Sequence, residues 1–472
     1  MLGTLALASV LGAGCQTVQG LWRPWAPTPG TARVVRIAAP NVAQYYQLGE
    51  RVRRIGKRIA PERRITVEVV PLSLNPKPGE AERDLSPTWK DLPGRYAAAL
   101  NSGAHEVDLA LVDAVAIQAL GQDRALHDLT PLLRTERWFQ TADFWGNVLQ
   151  AGQVRGKQVA IPLEASVEVL LYNRQLFDLH GLPLPSPGWT WDDFLAAAKR
   201  LTDPRAAPPR WGFVLSAGSP SIFSLAWQHG ATPPGPDAQL TDLTEPGAVR
   251  ALEFLADLVH VYRVAAPPSP SPQPVTTPPS AMPPSPLRRA FFNHDDWFPP
   301  RLLFPADLAF EHHAMATTFC TDSTRTDGTS ATWWRVGGYT TLRELPTAGH
   351  KAALGFATVM LGVPRGAPDL EHSVDALRAL LDASDQAAMI PPRRQSADFR
   401  KIDNLLTAPE SDALRTTTAS ARFLPGDVPL SVMLLIQQDL ITPILRGEKA
   451  PEAAAKQVQW LVQRRLTPND ND

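Results

Sequence analysis

The fold is decided between Gln153 and Leu201. The chain reads Gln153-Val154-Arg155-Gly156-Lys157-Gln158-Val159-Ala160-Ile161-Pro162, then Val169-Leu170-Leu171-Tyr172-Asn173-Arg174-Gln175-Leu176-Phe177, then Thr190-Trp191-Asp192-Asp193-Phe194-Leu195-Ala196-Ala197-Ala198-Lys199-Arg200-Leu201. Arg155-Gly156 lies between two short runs of β character, so Gln153-Val154 and Gln158 to Ile161 are expected to form a hairpin whose second strand stops at Pro162. A new apolar strand is expected from Val167 to Tyr172. Thr190 suits the N-cap of a helix that places Trp191, Phe194, Leu195, Ala198 and Leu201 on one face. Asp193 stands where a capping box prefers Glu or Gln, but an acid at a helix N-terminus is electrostatically favourable.

Upstream, Arg33 to Ala39 alternates charged and branched apolar residues, Gln44 to Ile59 has helical apolar spacing, and Ile65 to Val70 reads as a second strand. This β-α-β order predicts a doubly wound sheet. A proline-punctuated loop from Pro71 to Pro87 follows, then a helix over Leu92 to Leu100 and a buried strand over Val107 to Val112 that ends at Asp113. Downstream, Trp211 to Ser216 reads as a strand. Glu245 to His260 reads as a helix with Val249, Leu252, Leu255 and Val259 inward and Pro246 in its first turn. Pro267 to Pro286, rich in Pro, Ser and Thr without apolar period, is expected to be an exposed extended insertion. Pro451 to Leu466 closes the fold as a helix, and residues 467–472 are a frayed tail.

A chain of 472 residues is too long for one ordinary core and implies two lobes or more. With 46 basic and 47 acidic residues the net charge is −1, and no basic stripe runs along any expected helix, so a phosphate-tracking nucleic-acid binder is excluded. Gly-x-Ser-x-Gly, a Walker glycine loop, His-Glu-x-x-His and a dinucleotide fingerprint are all missing from the sequence. The adjacent His312-His313 cannot share a face as histidines four apart do. No cofactor, metal or catalytic residue is expected, although two carboxylates distant in sequence can still meet in a glycan-active site.

Residues 1–14 are an apolar run suited to a signal peptide and too short to span a bilayer. Small residues before Cys15 resemble a bacterial lipobox, in which Cys15 would become the lipidated N-terminus. Residues 15–32, with Pro24, Pro27, Pro29 and Gly30, would be a tether. Cys320 is then a lone thiol.

Gly156-Lys157-x-x-x-x-Pro162 and Tyr172-Asn173-x-x-x-Phe177, taken with Leu126-His127-Asp128-Leu129-Thr130-Pro131, the small-residue helix end Leu100-Asn101-Ser102-Gly103, Leu345-Pro346 and the strand Leu354 to Gly362, resemble the extracellular solute-binding proteins of family 1, the maltose-binding-like receptors of ABC importers. The resemblance touches most of the chain from Arg33 to Leu466. It implies an α/β fold of the two-lobed periplasmic-binding-protein type II, each lobe a sheet flanked by helices, with strands crossing between them. The first lobe would comprise positions 33–163 and 356–400, and the second lobe positions 164–355 and 401–466, with the Pro-rich insertion at 265–289. The implied function is extracytoplasmic capture of a small solute, foremost a carbohydrate such as an oligosaccharide or glycoside, by a monomer that hands it to an ABC permease. The family also carries polyol phosphates and other polar solutes. A receptor feeding a sensor and a secreted glycan-active enzyme are the alternatives.

Binding residues in such a fold come from loops at the carboxyl ends of strands and from the crossing segments. That singles out Asn41 and Gln44 after the first strand, Asp113 after the strand Val107 to Val112, and Glu164 and Ser166 on the crossing. In the second lobe it singles out Ser219 and Ser221 with Trp227 close by, Trp333 or Trp334 after the Ala314-Met315 segment, and Gln438 on the apolar run Val432 to Ile441. A flat indole face suits the apolar face of a pyranose, while carboxylates, amides and hydroxyls suit its hydroxyl groups. The competing reading of each tryptophan is a place in the core.

Overall fold

Three parallel strands, β1 (Arg33–Pro40), β2 (Ile65–Leu72) and β3 (Leu109–Val112), begin the main sheet in the computed structural model. It describes residues 33–40, 65–72, 92–102, 106–113, 116–206, 210–214, 221–234, 240–265, 314–320, 340–387, 390–394, 407–423 and 435–466, with isolated positions among residues 49–57 and at 74 and 432. The segments expected to be a signal peptide, a tether with Cys15, a Pro-rich insertion and a frayed tail lie outside the described residues. So does most of the helix expected over Gln44 to Ile59, of which residues 52–53 and 55–57 are helical.

β1 lies between β2 and β3 in parallel register, with Arg33 opposite Ile65 and Ile37 opposite Leu109. Parallel neighbours require a crossover, and α1 (Leu92–Asn101) lies on the one between β2 and β3. Its Tyr96 is fully buried, with the hydroxyl 2.9 Å from the Leu111 carbonyl and 3.1 Å from that of Ala38, so it bridges β3 and β1. α2 (Ile117–Gln122) follows β3, and α3 (Gly146–Gln150) precedes the hairpin of β4 (Gln153–Val154) and β5 (Lys157–Gln158). Arg155 and Gly156 have φ of 49° and 74°, the left-handed pair that a two-residue hairpin of right-handed twist requires.

Pro162 does not end the strand that follows. β6 runs unbroken from Ala160 to Asn173, and every one of its residues is buried. The remaining strands are β7 (Trp211–Val214), β8 (Ala314–Cys320), β9 (Thr340–Arg343), β10 (Ala353–Gly362) and β11 (Ala421–Phe423). β10 pairs antiparallel with β6, and its register shifts between Ala357 and Val359 and again between Val359 and Met360, the residue opposite Pro162. The ladder is already irregular there, so the missing proline N–H is accommodated at a bulge.

The sheet order is β2-β1-β3-β10-β6-β8-β7, with β9 also pairing with β6 and β11 with β10. Lower-numbered residues of β6 face β10, while Glu168 to Tyr172 face β8. β6 thus passes from one core to another. The first hydrophobic cluster draws on residues from Val35 to Leu163 and from Val359 to Ala383; the second draws on Leu170 to Ala265, Leu345 to Leu354 and Val432 to Val462.

Helices cover the second core as the sequence spacing predicts. In α4 (Trp191–Leu201) all five expected inward residues are buried, and Thr190 with Asp193 completes a reciprocal capping box: the Thr190 N–H donates to Asp193 Oδ2 at 3.0 Å and the Asp193 N–H to Thr190 Oγ1 at 3.1 Å. α5 (Ser221–Gln228) is followed by α6 (Pro246–His260), which buries Leu252, Leu255 and Val259 as expected but also Ala248, Ala251 and Leu258. Val249 is only half-buried, because the inward face centres on Ala248, Leu252, Leu255 and Val259 and leaves Val249 about a quarter-turn to one side. α7 (Leu370–Ala387) packs in the first core; α8 (Ala408–Ser420) contacts β6 and β9, and α9 (Pro451–Leu466) contacts α6.

Candidate functional site

Strand directions locate the site. β1 and β3 run toward the crossing, since Val112 at the end of β3 pairs with Met360 on β10, opposite Pro162. From the other side, β7 and β8 also run toward it, with Cys320 at the end of β8 opposite Glu168. The carboxyl ends of both sets of strands therefore converge on the middle of β6 and β10, the place where open α/β sheets bind ligands and so the candidate site.

In that middle, β6 carries Glu164, Ser166 and Glu168. Alternate residues of a strand share a face, so these three form a polar stripe, and they are 2 %, 0 % and 0 % exposed. Burying polar groups is costly unless they are satisfied. Glu168 accepts a hydrogen bond from the Ser224 hydroxyl in the first turn of α5, and the Ser224 oxygen in turn accepts the Leu354 N–H of β10 at 2.9 Å. Ser166 differs: its buried hydroxyl has no hydrogen-bond partner among the described residues.

Asp113 leaves β3 one residue beyond the pair Val112–Met360, in line with Val359 and hence with Glu164 across β10. At the usual strand spacing their backbones are about 10 Å apart. Asp113 is 1 % exposed and its Oδ1 accepts the Ala116 N–H at 2.8 Å, so one of its tasks is to start α2. Burial, and after it the charge of Asp113, pushes the Tyr96 hydroxyl well above its ordinary pKa and keeps it neutral.

Trp227 is not at the crevice surface. It is 3 % exposed in the second core, its Nε1 donates to Thr241 Oγ1 at 2.7 Å, and its ring stands 6.1 Å from that of Phe223. α5 is buried on all sides from Ile222 to Gln228, so Trp227 is a core residue, the structural reading of an isolated tryptophan. Gln438 is exposed on the π-helical turn Ile436–Ile441, whose Ile436, Leu440 and Ile441 are buried. Ser221 opens α5, three residues before Ser224. Asn41, Gln44, Ser219, Trp333 and Trp334 lie outside the described residues. The structure thus brings Glu164 and Ser166 together, sets Asp113 across one strand from them, and removes Trp227 to the core. Glu168 and Ser224 were missed, although the alternation Glu164-x-Ser166-x-Glu168 inside an apolar run is a visible signal. Among the described residues no group of three or more His, Cys, Asp or Glu side chains could hold a metal ion, and no described helix is long and apolar enough to cross a membrane.

Comparison with known proteins agrees with this geometry. Residues 82–292 match the family model of bacterial extracellular solute-binding proteins. An arabinooligosaccharide-binding protein of Halalkalibacterium halodurans is 27 % identical over 114 residues, which are 23 % of this chain and 24 % of the relative, so the match spans about a quarter of that protein's length. Among solved structures, the sugar-binding protein MalE of Xanthomonas citri superposes with a TM-score of 0.66 at 13 % identity, covering 92 % of this chain and 97 % of its own. A solute-binding protein of an ABC transporter from Thermotoga lettingae, bound with α-D-tagatose, gives a TM-score of 0.61 at 18 % identity, covering 92 % of this chain and all of its own. The fold is the maltose-binding type seen in these solved structures, and the family model that matches residues 82–292 is of the kind that the Gly156–Phe177 motifs resemble.

Proposed function

We propose that this chain is an extracytoplasmic receptor that captures a carbohydrate, an oligosaccharide or glycoside, between its two lobes and delivers it to an ABC permease. The observation that carries the reading is the polar stripe of β6 at the crossing, where the Ser166 hydroxyl is buried without a hydrogen-bond partner among the described residues. A ligand hydroxyl arriving there would supply a partner. The oligosaccharide-binding relative and the sugar-bound fold neighbours support the same class of cargo.

In this reading the first lobe comprises positions 33–163 and 356–400 and the second lobe positions 164–355 and 401–466. Asn41, Gln44, Asp113, Glu164, Ser166, Ser219, Ser221, Trp333, Trp334 and Gln438 are the candidate contacts, and Cys15 carries the lipid that holds a monomeric receptor at the membrane. Ligand that touches both lobes favours their closed arrangement by its differential affinity. Binding rather than catalysis is inferred, because no catalytic motif accompanies the carboxylates of the stripe and Glu168 is engaged by Ser224.

The test is a thermal-shift and calorimetric screen against arabino-oligosaccharides, maltodextrins, monosaccharides and polyol phosphates, with chromatography of each mixture. Stabilisation by a saccharide that is recovered unchanged is the expected result. Release of shorter sugars would overturn the receptor reading in favour of an enzyme, and silence across all saccharides would overturn the cargo class.

A further inference from the structure

Asn147 joins the first core to elements that pack on the strands of the second. It lies on α3, whose Leu149 is part of the first hydrophobic cluster. Its side-chain amide donates one hydrogen bond to the carbonyl of Thr418, in the last turn of α8, and one to the carbonyl of Ala421, the first residue of β11, each at 2.8 Å. Its oxygen accepts the Val148 N–H at 3.1 Å, which fixes the amide's orientation. Both amide protons are thus committed to backbone acceptors that lie far along the chain, on α8 and β11.

Those acceptors move with the second lobe. α8 packs on β9 and on β6, and β11 pairs with Ala353 to Gly355, the end of β10 that joins the second core. Between that end and the part of β10 that pairs with β3 lie Ala357 to Val359, where the ladder is irregular. Any rotation of one lobe on the other about β6 and β10 displaces Thr418 and Ala421 from α3. A hydrogen bond of this kind does not survive beyond about 3.5 Å, so a shift of about 1 Å breaks both.

We propose that Asn147 is a positioning residue, a latch that holds the two lobes in the arrangement seen here and so sets the population from which ligand-driven rotation starts. The proposal rests on the receptor reading for its consequence, since any cargo that needs a different lobe angle must bind against the latch and its apparent affinity falls by the factor the latch contributes. Two hydrogen bonds of ordinary net strength correspond to about 10- to 30-fold in the ratio of the two arrangements. Nothing in this requires that the cargo be known.

The test uses the full chain with a donor and an acceptor dye attached through azido-phenylalanine in place of Arg137 and of Arg200, exposed positions on the first and second lobes. Single-molecule energy transfer without sugar reports the lobe separation in the wild type, in Asn147→Ala and in Asn147→Asp. Asn147→Asp keeps the size, loses both donors and sets a carboxylate against two carbonyl oxygens. The expected result is a new lobe separation that gains about tenfold in population in Asn147→Ala and at least as much in Asn147→Asp, with each lobe still unfolding cooperatively. A distribution within about twofold of the wild type in both variants overturns the latch. So does a lowered unfolding temperature with unchanged distances among folded molecules, which would make the amide purely structural. Failure of the saccharide screen would leave this result untouched, so the two readings fail separately.

Discussion

Replacing Ser224 by alanine tests the geometry of the crossing without reference to any ligand. The Ser224 hydroxyl donates to Glu168, which is fully buried on β6, and its oxygen accepts the Leu354 N–H of β10 at 2.9 Å. A hydrogen bond to a carboxylate contributes about 1.5–3 kcal/mol, and a buried N–H left without its acceptor costs about 1–3 kcal/mol. Adding the lower and middle parts of those ranges gives an expected loss of about 3–4 kcal/mol for Ser224→Ala, a large share of the usual stability of a domain. Urea unfolding followed by tryptophan fluorescence is suited to it, because Trp191 and Trp227 belong to the second core. The double variant Glu168→Leu with Ser224→Ala should be less destabilised than the sum of the two single changes, since removing both partners leaves no stranded carboxylate. A loss below about 1 kcal/mol in Ser224→Ala, or strict additivity in the double variant, would refute the stated link between β6, α5 and β10.

Trp227→Phe should cost about 1–2 kcal/mol through the lost bond to Thr241, and calorimetry should show the affinity for any cargo unchanged; a lost affinity would return Trp227 to the crevice. Gly152→Ala should abolish soluble folded protein or cost more than about 3 kcal/mol, because the new Cβ would stand 2.0 Å from the Ala160 carbonyl oxygen; a normal melting curve would contradict the packing of the hairpin on β6. The hydrogen bonds from Thr190 hold the Asp193 carboxyl below its ordinary pKa. A depressed pKa contributes stability above the unfolded value and loses it as pH falls through the folded one, so the destabilisation by Thr190→Ala should be full at neutral pH and shrink below about pH 4. Melting curves of the two proteins at pH 7 and pH 3 check the sign.

Local signals carried most of the fold. The capping box at Thr190 and Asp193, the left-handed pair Arg155-Gly156 and the inward face of α4 are set by residues within a few positions of one another, and each was legible in the sequence. Pro162 misled because its effect depends on the partner strand: whether a missing N–H ends a strand is decided by Met360, far along the chain, and by the bulge beside it. Glu164 and Ser166 were expected on the crossing strand, and both lie buried on β6. Trp227 was misplaced because nearness in sequence to a crevice loop says nothing of which way a helix turns. Glu168, Ser224 and Asn147 were missed because their meaning lies in pairings between segments distant in the chain.

β6 also constrains the order in which the chain can fold. Ile161 pairs with Leu361 and Val112 with Met360, partners that come much later in the chain. The β2-β1-β3 part of the sheet therefore stays open on one edge until the strand that begins at Ala353 has been made and has found its place. Contacts of such long reach slow folding and leave strand edges exposed meanwhile. The nascent chain should pass through a long-lived intermediate with β1, β2 and β3 assembled and the β10 slot vacant, the period in which holdase chaperones would recognise it best.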